Sequence, residues 1–101
     1  MKTTIVGTAF RHGGIDILMK LQKGTVLKLV REAENEHDSN AVAVYHNEKH
    51  IGYVPRHNNA ELAAALDGGE KFSAVLSDEA IIQQGRIVFA PKILIKEDPS
   101  K

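Results

Sequence analysis

The chain has 101 residues, 43% hydrophobic and 26% charged, which is the composition of one globular domain with enough apolar material for a core. Thirteen basic residues balance thirteen acidic ones, which argues against bulk electrostatic coating of duplex DNA or a membrane. With no cysteine there is no disulfide framework and no thiolate metal site. No apolar run approaches the ~20 residues of a membrane span, and the run in the opening MKTTIVGTAFRHGG is too short for a signal peptide, so a cytoplasmic soluble domain is expected.

In chain order, Thr3 to Phe10 is rich in β-branched residues and predicts a first strand, interrupted at Gly7 by a bulge or a close backbone approach. Arg11-His12-Gly13-Gly14 ends it. Ile15 to Leu21 fits either a short helical turn or a buried strand, and Gly24 resets the chain. Thr25 to Arg31 alternates as a strand. Ala41 to His46 and His50 to Val54 form a hairpin around Asn47-Glu48-Lys49, stopped by Pro55, which cannot donate to a central ladder. The segment from His57 to Gly69 predicts a helix, with Asn58 as N-cap, Glu61 completing a capping box, Leu62 and Leu66 as the buried stripe, and Gly68 as the left-handed stop. Two strands follow, Lys71 to Leu76 and Arg86 to Ile95, and then a polar tail. The expected fold is mainly β with one or two short helices, a small OB-like barrel occupying residues 1–96, with 97–101 as tail.

Between the second and third predicted strands lies a polar segment, Arg31 to Asn40, joined abruptly to Ala41-Val42-Ala43-Val44. Its carboxylates Glu32, Glu34, Glu36 and Asp38 alternate, so an extended chain would put them on one face toward a hard cation. The spacing lacks the glycine of an EF-hand loop, and a solvated acidic turn is the simpler reading. His46 and His50 have ligand-like spacing only on a helix, and here they flank a hairpin turn. No nucleophile motif or phosphate-cradling glycine loop is present, so the sequence offers catalysis no home and calls for no metal or cofactor.

Val6-Gly7, Gly24 with the alternating strand after it, Arg31-Glu32, Asn35, Asp38-Ser39-Asn40-Ala41 and Gly52-Tyr53-Val54-Pro55-Arg56 occur in the order found in the HIRAN domain, which the chain resembles from about residue 5 to residue 68. The resemblance implies an OB-like barrel that captures single-stranded DNA 3′ ends in repair or replication processing, with DNA as partner and no catalysis. Carried over by position, Phe10 and Tyr53 would wall a pocket, Arg11 would lie beside it, His37 and Asp38 would meet the strand terminus, and Arg56 would hold a phosphate. Each has a plainer alternative: Phe10 as core, Asp38 as an Asx-turn residue, Arg56 as partner of a helix end or an acid. The sequence departs from the family where His37 replaces a tyrosine often found before the aspartate, and where Ala9 stands in place of an arginine. A protein-interaction module on the same scaffold is the alternative function, followed by an accessory to a metal-dependent hydrolase or nuclease.

Overall fold

The computed structural model describes residues 1–98. Its elements are β1 (Lys2–Thr4), a 3₁₀ turn (Thr8–Phe10), α1 (Gly14–Lys20), β2 (Val26–Glu32), β3 (Ala41–His46), β4 (Lys49–Tyr53), α2 (Arg56–Asp67), β5 (Phe72–Asp78), β6 (Ile81–Gln83), β7 (Arg86–Phe89) and β8 (Lys92–Glu97). Six strands form one curled antiparallel sheet in the order β1-β8-β5-β2-β3-β4, while β6 and β7 form a separate hairpin.

The sheet's two edges are brought together just beyond β1. Val6 pairs with Tyr53 at the end of β4 through reciprocal hydrogen bonds of 2.9 Å, so a half-barrel is tied at its seam by one antiparallel bridge. Edge strands with unpaired backbone groups invite pairing with other chains, and curling one edge back onto the other removes much of that exposure. At the opposite end of β1, the Met1 ammonium donates to the Ile95 carbonyl at 2.7 Å and the Ile95 N–H donates to the Met1 carbonyl at 2.7 Å.

Alternation builds the core. Ile93 and Ile95 point inward from β8 while Lys92 and Lys96 stay exposed, and Leu76, Val42, Val44, Ile51 and Ile5 meet them. Each such fully buried aliphatic side chain contributes about 1.5–3 kcal/mol relative to exposure. Leu62 of α2 is buried in this cluster, and Leu66 packs against it partly buried.

Several predicted elements differ in detail. The expected first strand is broken: Gly7 adopts φ 77°, a left-handed conformation in which the chain leaves the sheet and coils into the 3₁₀ turn. The ambiguous segment 15–21 is the helix α1. Helix α2 starts at Arg56, directly after Pro55, so Asn58 is not its N-cap and no capping box forms; Asn58 Oδ1 instead accepts a hydrogen bond from the Thr3 hydroxyl at 2.7 Å. At the other end Gly68 has φ −79° and the left-handed residue is Gly69. The expected strand 86–95 is two strands, β7 and β8, separated at Ala90-Pro91, and the β6–β7 hairpin was not anticipated. Lys96 and Glu97 belong to β8, and residues 99–101 of the expected tail lie outside the described residues.

Candidate functional site

The polar segment folds by serving its own backbone. Asn35 Oδ1 accepts the N–H of His37 at 2.8 Å and of Asp38 at 3.0 Å; Asp38 Oδ1 accepts the N–H of Asn40 at 2.9 Å, and the Asp38 carbonyl accepts the N–H of Ala41. Successive Asx turns of this kind satisfy donors that neither a helix nor a strand would reach. The final bond delivers the chain into β3, which is why so polar a loop precedes so apolar a strand.

Other side chains fasten the loop to its surroundings. Asn59 of α2 donates to Asp38 Oδ2 at 2.8 Å, Arg56 Nε lies 3.7 Å from the same oxygen, and an Arg56 guanidinium nitrogen donates to the His37 carbonyl. These donors, led by the Asn40 N–H, hold the Asp38 carboxyl below its ordinary range. Arg31 forks onto Asp67 at 3.0 and 3.1 Å and also donates to the Ala41 carbonyl, clamping β2 to the far end of α2.

On the opposite side, the Tyr53 hydroxyl donates to Glu32 Oε1 at 2.9 Å and accepts from Asn35 Nδ2 at 3.4 Å. Burial, and then the bond to Glu32, push its pKa up, so the phenol stays protonated. The His50 ring meets Tyr53 edge-on at 4.7 Å and stacks on Tyr45 at 5.0 Å with an interplanar angle of 9°. Burial, and then the nearby Arg11 charge, hold His50 below its ordinary pKa.

These groups surround an open cavity of about 320 Å³ at the barrel seam, lined by Val6, Arg11, Asn35, His37, Asp38, Ala41, Tyr53, Val54 and Arg56. Arg11, His37, Asp38, Tyr53 and Arg56 line this one cavity together, although three separate segments of the chain supply them. Phe10 does not join them. It is 89% exposed, neither core nor cavity wall, because the turn after Gly7 points its ring into solvent. Asn35 and Asn59 were not singled out as site residues, yet Asn35 lines the cavity and Asn59 holds Asp38; the signal for the first was its Asx-turn spacing to His37 and Asp38.

Two of the four alternating carboxylates have other partners in the fold. Glu32 is engaged by Tyr53 and Asn35, and Asp38 by Asn59 and Asn40. His46 lines a different cavity with Ile17 and Lys20, away from the stacked His50. Among the described residues, no group of three or more His, Cys, Asp or Glu could hold a metal. No helix among them is long and apolar enough to cross a membrane.

The family model of the HIRAN domain matches residues 1–93. The chain belongs to the HIRAN family. The crystal structure of a protein from Lactobacillus plantarum is similar to this HIRAN domain with a TM-score of 0.81 and 24% identity, over 95% of this chain and 89% of that one. The crystal structure of the HIRAN domain of human HLTF is similar with a TM-score of 0.74 and 17% identity, over 96% and 73% respectively. These likenesses show the fold, a mainly β, OB-like half-barrel with two helices. No curated protein matches the chain. The HIRAN family is known for nucleic-acid binding.

Proposed function

We propose that this HIRAN domain is a non-catalytic DNA-binding module whose seam cavity takes the 3′ end of a single strand during repair or replication processing. The observation that carries this reading is the convergence of two guanidiniums, Arg11 and Arg56, with one carboxylate, Asp38, and the Tyr53 ring around one open cavity. Guanidiniums suit phosphates and the ring offers a surface to a base or sugar. A carboxylate repels phosphate, so its place beside two arginines favours a ligand terminus that brings a hydroxyl. The Asp38 side chain is 20% exposed and, with bonds from Asn40 and Asn59, keeps lone pairs for one more donor.

A free 3′-hydroxyl is such a donor, and a 3′-phosphate would set like charges together. Strands with a free 3′-hydroxyl should bind at least about tenfold better than the same strands with a 3′-phosphate, a difference of about 1.4 kcal/mol. Asp38→Asn should narrow the gap, since its amide oxygen can keep the Asn40 contact while the charge is lost. Fluorescence anisotropy with both oligonucleotides and both proteins tests this, and equal affinity of the wild type for the two ends would leave Asp38 as a turn residue only.

The second reading, a protein-interaction module, draws on the exposed Ile81, Val88 and Phe89 of the β6–β7 hairpin. Salt-insensitive binding to a protein, with no affinity for DNA, would favour it.

A further inference from the structure

The regular β2–β3 register lays side chains in rows across one face of the sheet. Glu32 pairs with Ala41, Val30 with Ala43, and Lys28 with Tyr45, while on the other side of β3 Tyr53 pairs with Ala43 and His50 with Tyr45. Ala41, Ala43 and Tyr45 are two apart in β3 and share a face. The register shift of the β3–β4 pairing between Val44 and Tyr45 brings His50, three residues before Tyr53, onto that same face, the one that Ala41 and Tyr53 present to the cavity. The next row out is Lys28, Tyr45, His50, about 7 Å beyond the Ala43–Tyr53 row. Lys28 is exposed, and Tyr45 and His50 are half-buried with parallel rings. The ladder of rings continues without a break into the cavity wall, because His50 meets Tyr53 edge-on.

We infer that the Lys28–Tyr45–His50 row is a second binding subsite, which takes an unpaired nucleobase and its phosphate from the strand that leaves the seam cavity. This rests on the reading that the cavity holds the end of a strand. Aromatic surface stacks on any base, a neighbouring ammonium neutralises a phosphate, and the sheet face around the second and third strands of an OB-type barrel is suited to such a track. A duplex hides its base faces, so the row selects single strands.

The test compares a dinucleotide with a strand of about eight nucleotides, within the site size of one OB-type barrel, both with a free 3′-hydroxyl. The longer strand should bind roughly tenfold more tightly, the gain expected from one stacked base. Tyr45→Ala should erase that gain, Tyr45→Phe should keep it, and Lys28→Ala should reduce it and flatten its salt dependence, while dinucleotide affinity and 3′-hydroxyl preference stay as in the wild type. The chain has no tryptophan, so Tyr45→Trp supplies a lone reporter whose fluorescence should be quenched by the longer strand and not by the dinucleotide. If the length gain is absent, or survives Tyr45→Ala, or the tryptophan ignores the longer strand, the row is only a hairpin brace and cavity binding stands without it. If neither oligonucleotide binds, the cavity reading and this subsite fall together.

Discussion

Asp38 and Arg56 show how a single residue can belong to the loop and to the ligand at once. Asp38 has a lowered pKa in the folded chain, first through the Asn40 N–H, so as pH falls the unfolded chain takes up the proton before the folded one does. Its stabilising contribution is therefore complete above about pH 5 and is lost as pH drops through the ordinary carboxylate range and below. Urea unfolding across that window should show a shallower acid loss in Asp38→Asn than in the wild type. Arg56 contributes differently. Its side chain is 71% exposed, with Nε 3.7 Å from the Asp38 carboxylate and one guanidinium nitrogen bonded to the His37 carbonyl, so part of the guanidinium still faces solvent. Arg56→Ala should weaken single-strand binding alike for every sequence and lower the salt-dependence slope by about one, because a phosphate contact carries no base information. Unchanged affinity would favour the protein-interaction reading. The Asx-turn role of Asp38 and the acid contact of Arg56 were both open in the sequence as plain alternatives, and the fold realises both. The Asx turn is local, which is why it could be read from spacing, whereas the Arg56–Asp38 contact joins segments distant in the chain.

Among the elements, β4 is where the sequence explains the most and where a small change would do the most damage. A Cβ built on Gly52 would lie 2.5 Å from Ile5 Cγ2, 2.6 Å from the Val6 carbonyl and 3.0 Å from the Thr8 hydroxyl. The nearest backbone atom is the one that bridges to Tyr53, so it cannot yield without opening the seam. Gly52→Ala should cost about 1–3 kcal/mol in chemical denaturation and weaken strand binding beyond what the stability loss explains, because Tyr53 loses its anchor. A rise in stability would mean that the seam is loose. The strand β2 was legible from its alternation, and β3 and β4 from β-like runs around a turn, although that turn is Asn47-Glu48 alone and Lys49 already belongs to β4. The β6–β7 hairpin was not, since its turn uses Gln84 and Gly85 at positive φ, a weaker signal than Asn-Gly, and its flanks are short. Helix α2 was legible in its body but not at its start. Pro55 sets the entry to the helix, and Asn58 is drawn away by Thr3, a residue 55 positions distant that no local rule could bring into play.

For the whole molecule, the decisive feature is closure of the sheet by the Val6–Tyr53 bridge, which places the cavity where distant segments meet. Periodicity can say which face of each strand is inward, but it cannot say that Arg11 will stand near Tyr53 and His50. That convergence came from the resemblance in motif order, whereas its physical cause is the left-handed Gly7, which turns the chain over the seam and carries Arg11 with it. The same turn exposes Phe10, the one expected site residue that does not line the cavity. At the other end of β1 the ladder with β8 runs on by one more pair, where Met1 and Ile95 exchange backbone hydrogen bonds. Chain order is thereby nearly dispensable to shape: a short linker from beyond β8 to Met1, with new ends opened at Gln84-Gly85, would give a circular permutant in which the seam, the cavity and every ladder of the six-stranded sheet survive.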